Sequence, residues 1–163
     1  MSEDRIEKSI TLRASKDRVW QALTDSKEFG HWFGMDLEGP FVAGTPTKGK
    51  MTPTKVDPDV AQHQKEFDGC PCMLLVEQIE PQRLFSFRWH PLAIDPKVDY
   101  SGEPTTLVAF VLEEVTDGTR LTVTESEFNE IPAERRAKAF GSHEPGWAIV
   151  VKLLETHLGQ VAI

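Results

Sequence analysis

The sequence predicts a single α+β domain, residues 1–163, in which an antiparallel sheet packs against a long C-terminal helix. Residues 105–128 contain two alternating runs joined by Asp117-Gly118, a dipeptide typical of tight β-hairpins. The C-terminal segment has one apolar face about four turns long, formed by Trp147, Val150, Val151, Leu154 and Leu158. The length of 163 residues suits one domain, because single cores commonly span ~100–200 residues.

The N-terminal part of the chain predicts one strand followed by two short helices. Residues 5–13 alternate apolar and polar side chains, which is typical of a strand. Ser15 can cap a helix, and apolar residues recur after it at helical spacing. Residues 26–32 predict a second short helix that ends near Gly34.

The middle of the chain predicts further strands and two loops. Residues 73–79 lead through a turn to a strand that places Phe85, Phe87 and Trp89 on one face. Residues 57–69 are polar without a clear period, and residues 91–104 are rich in proline, so we expect both to be loops.

The hairpin around Asp117-Gly118 also predicts which residues pair across it. If these two residues form the loop, Leu112 lies opposite Val123 and Phe110 lies opposite Glu125. Because side chains alternate along strands, all four then face the same side of the sheet.

The charge balance argues against a nucleic-acid or membrane partner. Eighteen basic against 26 acidic residues give a net charge of −8, which repels phosphate backbones and anionic bilayers. The charged N-terminus does not resemble a signal peptide, and no apolar run is long enough to span a membrane. With only two cysteines, close together, we expect a cytoplasmic protein.

Four segments of the chain carry a family resemblance: ASKDRVWQALTDSKEFGHWFG, EQIEPQRLFSFRW, TLVAFVLEEVTDGTRLTVTESEF and GWAIVVKLLETHL. In this order the chain resembles the helix-grip fold of the START-like superfamily (SRPBCC, or Bet v-like), and within it the activator of heat-shock-protein ATPase homologue group. The resemblance implies a curved antiparallel sheet wrapped around the C-terminal helix, with a central cavity that the short helices close. Trp32 and Phe33 are then lid residues, or alternatively they fill the end of the core.

The predicted wall of this cavity is largely apolar, as in small-molecule pockets. Besides Trp32 and Phe33, the wall is expected to contain Phe85, Phe87, Trp89, Phe110, Leu112 and Val123 of the sheet, with Trp147, Val151 and Leu154 of the helix. The alternative is a filled core without a usable cavity.

Glu125 is the candidate polar group of the site. The hairpin turns its carboxyl toward the cavity, where loss of water is expected to raise its pKa. A one-residue slip of the strand would instead turn Glu125 to solvent.

Other catalytic constellations are absent from the sequence. There is no GxSxG elbow and no phosphate-binding glycine loop. Cys70 and Cys72 lack the further ligands that zinc requires, so we expect neither a metal nor a cofactor. An enzymatic role would rest on Glu125 or a nearby histidine moving a proton.

These observations favour a protein that binds a small hydrophobic or aromatic molecule, without catalysis. The first alternative is a co-chaperone-like interaction module, with a chaperone as its partner. The second alternative is an enzyme similar to polyketide cyclases or lyases. The chain is expected to be a monomer or a homodimer.

Overall fold

The structure, a computed structural model, describes residues 5–91 and 102–161. The strands are β1 Arg5–Leu12, β2 Met35–Leu37, β3 Pro46–Met51, β4 Pro71–Glu80, β5 Leu84–Trp89, β6 Thr106–Val115 and β7 Gly118–Ser126. The helices are α1 Lys16–Thr24, α2 Ser26–Phe33, α3 Pro58–Gln64 and α4 Ala133–Val161, with single 3-10 turns at Lys65–Phe67 and Phe128–Glu130.

The seven strands form one antiparallel sheet in the order β1-β7-β6-β5-β4-β3-β2. Helix α4 contacts β1 and α2, and its Trp147 side chain reaches Glu125 on β7. The α+β helix-grip fold is thereby confirmed. Within the described ranges, no helix combines the length and apolarity needed to cross a bilayer.

The two short helices begin and end where their capping residues predict. The Ser15 hydroxyl accepts a hydrogen bond from the Arg18 amide, and the Asp25 carboxylate accepts from the amides of Lys27 and Glu28. Gly34 ends α2 in the left-handed conformation, with φ 104°. These caps fix the helical corner that carries Trp32 and Phe33.

The hairpin between β6 and β7 differs from its predicted pairing by two residues. Val115 pairs with Gly118, so the loop consists of Thr116 and Asp117, and the predicted Asp117-Gly118 loop is wrong. Gly118 is needed at the start of β7, because its φ is 145° and a Cβ there would lie 2.1 Å from the Leu12 carbonyl oxygen.

The shift changes the partners of the predicted wall residues but not the face on which they lie. Phe110 is paired with Val123, Leu112 with Leu121 and Glu125 with Val108. Because a shift of two residues preserves the alternation of the pleat, these side chains still face α4.

A predicted loop turned out to contain a helix. Residues 57–69 include α3, whose Asp57 carboxylate accepts hydrogen bonds from the Asp59 and Val60 amides. Pro58 occupies the first turn, where its missing N–H costs nothing. Of the second predicted loop, 91–104, residues 92–101 lie outside the described residues.

Helix α4 is longer than its apolar face predicts. It begins at Ala133, continues through Pro145 and ends at Val161, although a glycine such as Gly159 often follows the end of a helix. Proline has no N–H to donate to the carbonyl four residues earlier, here that of Gly141. Buried side chains on both sides of Pro145, Ala139 and Trp147, hold the helix against the rest of the protein.

The helical corner packs closely against β2 at Gly30. A Cβ on this residue would lie 2.1 Å from the Met35 carbonyl oxygen, which leaves no room for a side chain. The close approach sets the position of α2 and therefore of its aromatic residues.

We expect Gly30→Ala to destabilise the protein by about 1–3 kcal/mol, because the added methyl group overlaps the backbone of Met35. Gly141→Ala is the matched control in an open helical position, and it should stabilise by about 0.5–1 kcal/mol. Urea denaturation measures both. Equal effects of the two substitutions would contradict the close approach of α2 to β2.

Candidate functional site

The twelve predicted wall residues come together between the sheet and α4. Trp89 is partly buried, and the other eleven side chains are buried. These eleven are Trp32, Phe33, Phe85, Phe87, Phe110, Leu112, Val123, Glu125, Trp147, Val151 and Leu154.

The aromatic rings of this wall contact one another from the helical corner to α4. The ring centroid of Phe33 lies 6.0 Å from that of Trp89 and 6.1 Å from that of Trp147. Trp89 and Trp147 are 5.8 Å apart, and Phe87 lies 5.4 Å from Trp89. Such separations are typical of edge-to-face and tilted aromatic pairs. The rings therefore form one continuous aromatic wall.

Trp32 is buried deeper than a residue at an open cavity mouth would be. Its side chain is completely buried, and its indole N–H donates to the Ala22 carbonyl at 2.9 Å. The Trp32 carbonyl in turn accepts from the Thr54 hydroxyl at 2.7 Å. These contacts join α2 to α1 and to the segment after β3.

The buried carboxylate of Glu125 accepts four hydrogen bonds. Oε1 accepts from His143 Nδ1 at 2.7 Å and from Trp147 Nε1 at 2.8 Å. Oε2 accepts from Trp89 Nε1 at 2.8 Å and from the Thr106 hydroxyl at 2.6 Å. A carboxylate has about four acceptor positions, so the protein itself occupies all of them.

This environment reverses the predicted pKa shift of Glu125. Burial raises the pKa of a carboxyl group, and it is the largest single influence here. The hydrogen bond and electrostatic influence of His143, with the hydrogen bonds from Thr106 and Trp147, together outweigh burial and lower the pKa. The inward orientation of Glu125 is confirmed, and the raised pKa is wrong, because the side chain is buried together with its donors.

His143 is a partner of Glu125 that the sequence did not single out. Its Nδ1 contacts Glu125, and its ring packs against Trp89 and Phe128 with centroids 5.7 and 6.1 Å apart. The side chain remains 16% exposed, and no described residue forms a hydrogen bond with its Nε2. Its position four residues before Trp147 was an available signal, because i and i+4 share a helix face.

Thr106 was also missed, although the strand pattern contains it. It lies on the same face of β6 as Val108 and Phe110, because every second residue of a strand points to the same side. Its buried hydroxyl supplies the shortest of the four bonds to Glu125.

An ion-pair network fixes the strand ends that hold Trp89 and Glu125. Arg88 donates two hydrogen bonds of 3.0 Å to the Glu127 carboxylate and one of 2.6 Å to Glu77. Hydrogen bonds to these carboxylates raise the pKa of Arg88. Glu127 has a φ of 74°, a left-handed conformation uncommon outside glycine. The network therefore holds β4, β5 and the end of β7 together beside the aromatic wall.

A second polar network joins the helical corner to the far end of α4. His157 is 4% exposed, and its Nε2 lies 2.6 Å from Glu28 Oε2, which also accepts from Arg18. Since the three residues belong to α4, α2 and α1, this network ties the helices to one another.

Two surface clefts and the cysteines lie away from the aromatic wall. The clefts measure about 280 and 260 Å³, and none of the twelve wall residues lines either of them. Burial, followed by the influence of Cys70 and Glu38, raises the pKa of Cys72 to about 12, so its thiol stays protonated. Among the described residues, no three histidines, cysteines or acids are grouped as a metal site requires.

Comparison with protein families gives one match over most of the chain. A family model described as "Activator of Hsp90 ATPase homolog 1-like protein" matches residues 13–159. A search of curated proteins finds no matching sequence.

Solved structures with the same fold include three of particular interest. MLL2253 from Mesorhizobium loti is 19% identical, with a TM-score of 0.70 over 96% of this chain and 98% of its own. The Aha1 dimer from Colwellia psychrerythraea is 21% identical, with a TM-score of 0.64 over 93% and 92% of the two chains.

The third structure is DynU16, a protein of the dynemicin biosynthetic locus. It is 25% identical, with a TM-score of 0.68 over 96% of this chain. The match covers 47% of DynU16, so the present chain spans about half the length of that protein.

We expect Trp32→Ala to destabilise the protein by about 3–5 kcal/mol, the usual range for removing a buried tryptophan. Trp20→Ala, at a partly buried position of α1, should cost less. The free energy of unfolding, measured by chemical denaturation, shows whether Trp32 fills the core or covers a cavity as a lid. A small loss of stability for Trp32→Ala would contradict its role in the core.

We expect Glu125→Gln to destabilise the protein by about 2–4 kcal/mol at neutral pH, because the new amide leaves buried donors unsatisfied. A carboxyl with a lowered pKa in the folded state stabilises the protein above its ordinary pKa of 4.5, and this contribution is lost as the pH falls through the folded-state pKa. The difference between wild type and variant should therefore shrink in acid.

Unfolding free energies measured from neutral to acidic pH test this expectation. Glu113→Gln is the matched control, because Glu113 is 65% exposed and should have little effect at any pH. A pH-independent difference between wild type and Glu125→Gln would contradict the lowered pKa.

Proposed function

This chain belongs to the family of activator of Hsp90 ATPase homolog 1-like proteins, and on that premise we propose that it binds a small apolar or aromatic molecule. The family and its fold support either a ligand-binding or a co-chaperone-like module. We assign the ligand to the edge of the aromatic wall formed by Trp89 and His143, where both side chains are partly exposed.

The observation that carries this proposal is the saturated carboxylate of Glu125 inside an aromatic wall. Burying a charge is costly, and an apolar core would be simpler to build. Here four donors on β5, β6 and α4 are fixed by one carboxylate. The result is an aromatic surface in which the partly exposed Trp89 adjoins a histidine whose second nitrogen is available. A few polar groups in an apolar surround are typical of ligand sites.

The chemistry of this edge favours a neutral aromatic ligand with a hydrogen-bond donor. Trp89 offers a ring on which another ring can stack. When Nδ1 of His143 donates to Glu125, Nε2 carries the lone pair and accepts a hydrogen bond. The nearby carboxylate and the net charge of −8 both disfavour an anionic ligand. A phenol or a hydroxylated polycyclic compound meets these requirements.

The alternative is a chaperone partner, as the family name suggests. Docking on a protein usually uses a contiguous apolar patch. In the described part of the chain, the exposed large apolar side chains are Val42, Val111 and Ile149, which lie on a loop, a strand and a helix. This scatter favours the small-molecule proposal.

Binding of 2-naphthol tests the proposal, because it is a neutral bicyclic compound with one hydroxyl donor. We expect saturable binding by isothermal titration calorimetry, with saturation-transfer NMR contacts to the ring. Trp89→Ala should weaken binding at least tenfold, about 1.4 kcal/mol, through loss of the stacking surface and of the hydrogen bond to Glu125.

Two controls separate this site from general hydrophobic binding. Trp20→Ala removes a tryptophan on α1 and should leave the affinity unchanged. 2-Methoxynaphthalene lacks the hydroxyl donor and should bind more weakly than 2-naphthol. Equal affinity of wild type and Trp89→Ala, or saturable binding to a purified Hsp90 chaperone without any binding of 2-naphthol, would overturn the proposal.

A further inference from the structure

We infer that His143 is a general base, and that the chain catalyses proton transfer from an aromatic substrate held at the Trp89 edge. This inference rests on the proposed function and extends it from binding to catalysis. It assigns a reaction to the side chain that links the buried carboxylate to the surface of the protein.

The hydrogen bond between His143 and Glu125 determines which ring nitrogen is basic. Nδ1 lies 2.7 Å from Oε1, and a carboxylate only accepts, so Nδ1 carries the proton. In the neutral imidazole, Nε2 then holds the lone pair. The Nε2–Cδ2 edge of the ring lies opposite Nδ1, on the side away from the carboxylate. The side chain is 16% exposed, and we assign this exposure to the Nε2–Cδ2 edge, where a ligand can approach.

Glu125 is the positioning residue of this pair. Its four acceptor positions are occupied by His143, Trp147, Trp89 and Thr106, so it has no free lone pair for a substrate. Its negative charge stabilises the imidazolium that forms when Nε2 takes up a proton. Burial at 0% exposure keeps water from weakening that interaction.

His63 and His157 lack this arrangement. His63 is exposed, and its Nδ1 contacts the Asp59 carbonyl within α3. His157 has a carboxylate partner in Glu28, but it is only 4% exposed, and Arg18 shares that carboxylate oxygen. His143 combines a carboxylate partner, an exposed edge and a contact with the ring of Trp89.

Two charged side chains on the same helix as His143 form ion pairs with other parts of the chain. On α4, Glu144 forms an ion pair with Lys8 of β1, and Arg135 forms one with Glu103. Glu125 faces the imidazole from β7. Proton uptake at His143 is thus compensated chiefly by Glu125.

The proposed base, His143, and the aromatic wall beside it determine which class of substrate fits. It is an uncharged aromatic or polycyclic molecule with an acidic C–H next to a carbonyl. Nε2 takes the proton, the C–H electron pair forms a C=C bond, and the carbonyl π pair moves to oxygen to give an enolate. Return of the same proton to another position completes a tautomerisation, which needs no oxidant, reductant or second reactant.

The test reaction is ring opening of 5-nitrobenzisoxazole, an uncharged bicyclic carbon acid. A base removes the proton from C3, the electron pair completes the nitrile and the N–O bond breaks. The coloured 2-cyano-4-nitrophenolate is released and the proton stays on the base. We expect saturable turnover, a rate that rises with pH to a plateau, and a slower reaction with substrate deuterated at C3.

His143→Asn is the decisive variant, because the asparagine amide places a donor where Nδ1 lies but offers no basic nitrogen. We expect kcat/KM to fall at least about a hundredfold, in the range usual for general bases, while 2-methoxynaphthalene, which has no hydroxyl to donate to Nε2, binds within about twofold of wild type. His63→Asn, at an exposed position of α3, should keep full activity. In the wild type, the midpoint of the pH profile should coincide with the titration of the His143 ring protons by NMR.

The outcomes distinguish this inference from the proposal on which it rests. If 2-naphthol binds but turnover is absent, independent of pH or unchanged in His143→Asn, the inference is overturned and the ligand-binding proposal stands. If neither 2-naphthol nor 5-nitrobenzisoxazole binds, both are overturned. Should His143→Asn fail to fold, a mismatch between the wild-type pH profile and the NMR titration of His143 still overturns the inference.

Discussion

The carboxylate of Glu125 is the group on which the interior of this protein depends. It sits on β7 and accepts hydrogen bonds from β5, β6 and two positions of α4. An ionised group with 0% exposure is tolerable only when its acceptor positions are filled. The sheet, the helix and two indole rings are therefore constrained together, and none of the donors can move without leaving a buried charge underpaired.

Because its acceptor positions are all occupied, Glu125 supports the interior of the protein but has no free position with which to contact a ligand. A carboxylate in a pocket commonly binds the substrate or takes its proton. Here the protein uses every acceptor position of Glu125, so under the proposed function contact with a ligand falls to His143. The neighbouring ion pairs of Arg88 with Glu127 and Glu77 keep the supporting strands in register. The site thus has a rigid, charged interior and a neutral, partly exposed edge.

For each wall residue of the hairpin, the sequence predicted the correct face of the sheet but not the correct pairing partner on the adjacent strand. The hairpin pairing was wrong by two residues, yet Phe110 and Glu125 still point inward, because the pleat has a period of two. The pKa direction of Glu125 was beyond reach. Its donors lie 18 to 36 residues away along the chain, and no local pattern shows that they converge.

Two further features that were not predicted, helix α3 and the position of His143, do have local signals in the sequence. Asp57 followed by Pro58 is typical of a helix start, and it marks α3 within the segment taken as a loop. His143 shares a helix face with Trp147 by its i, i+4 spacing. The early start of α4 was harder to predict, because Pro145 normally argues against a continuous helix.

Pro145 weakens α4 locally, and Glu125 holds the two sides of this weak point together. The missing N–H leaves the Gly141 carbonyl without its helical donor, which is where a helix most easily opens. Oε1 of Glu125 accepts one hydrogen bond from His143, before Pro145, and one from Trp147, after it. Opening of α4 at Pro145 would therefore break hydrogen bonds to Glu125 and admit water to the carboxylate. We expect amide protons near Pro145 to exchange by such local opening, faster than those of the central strands.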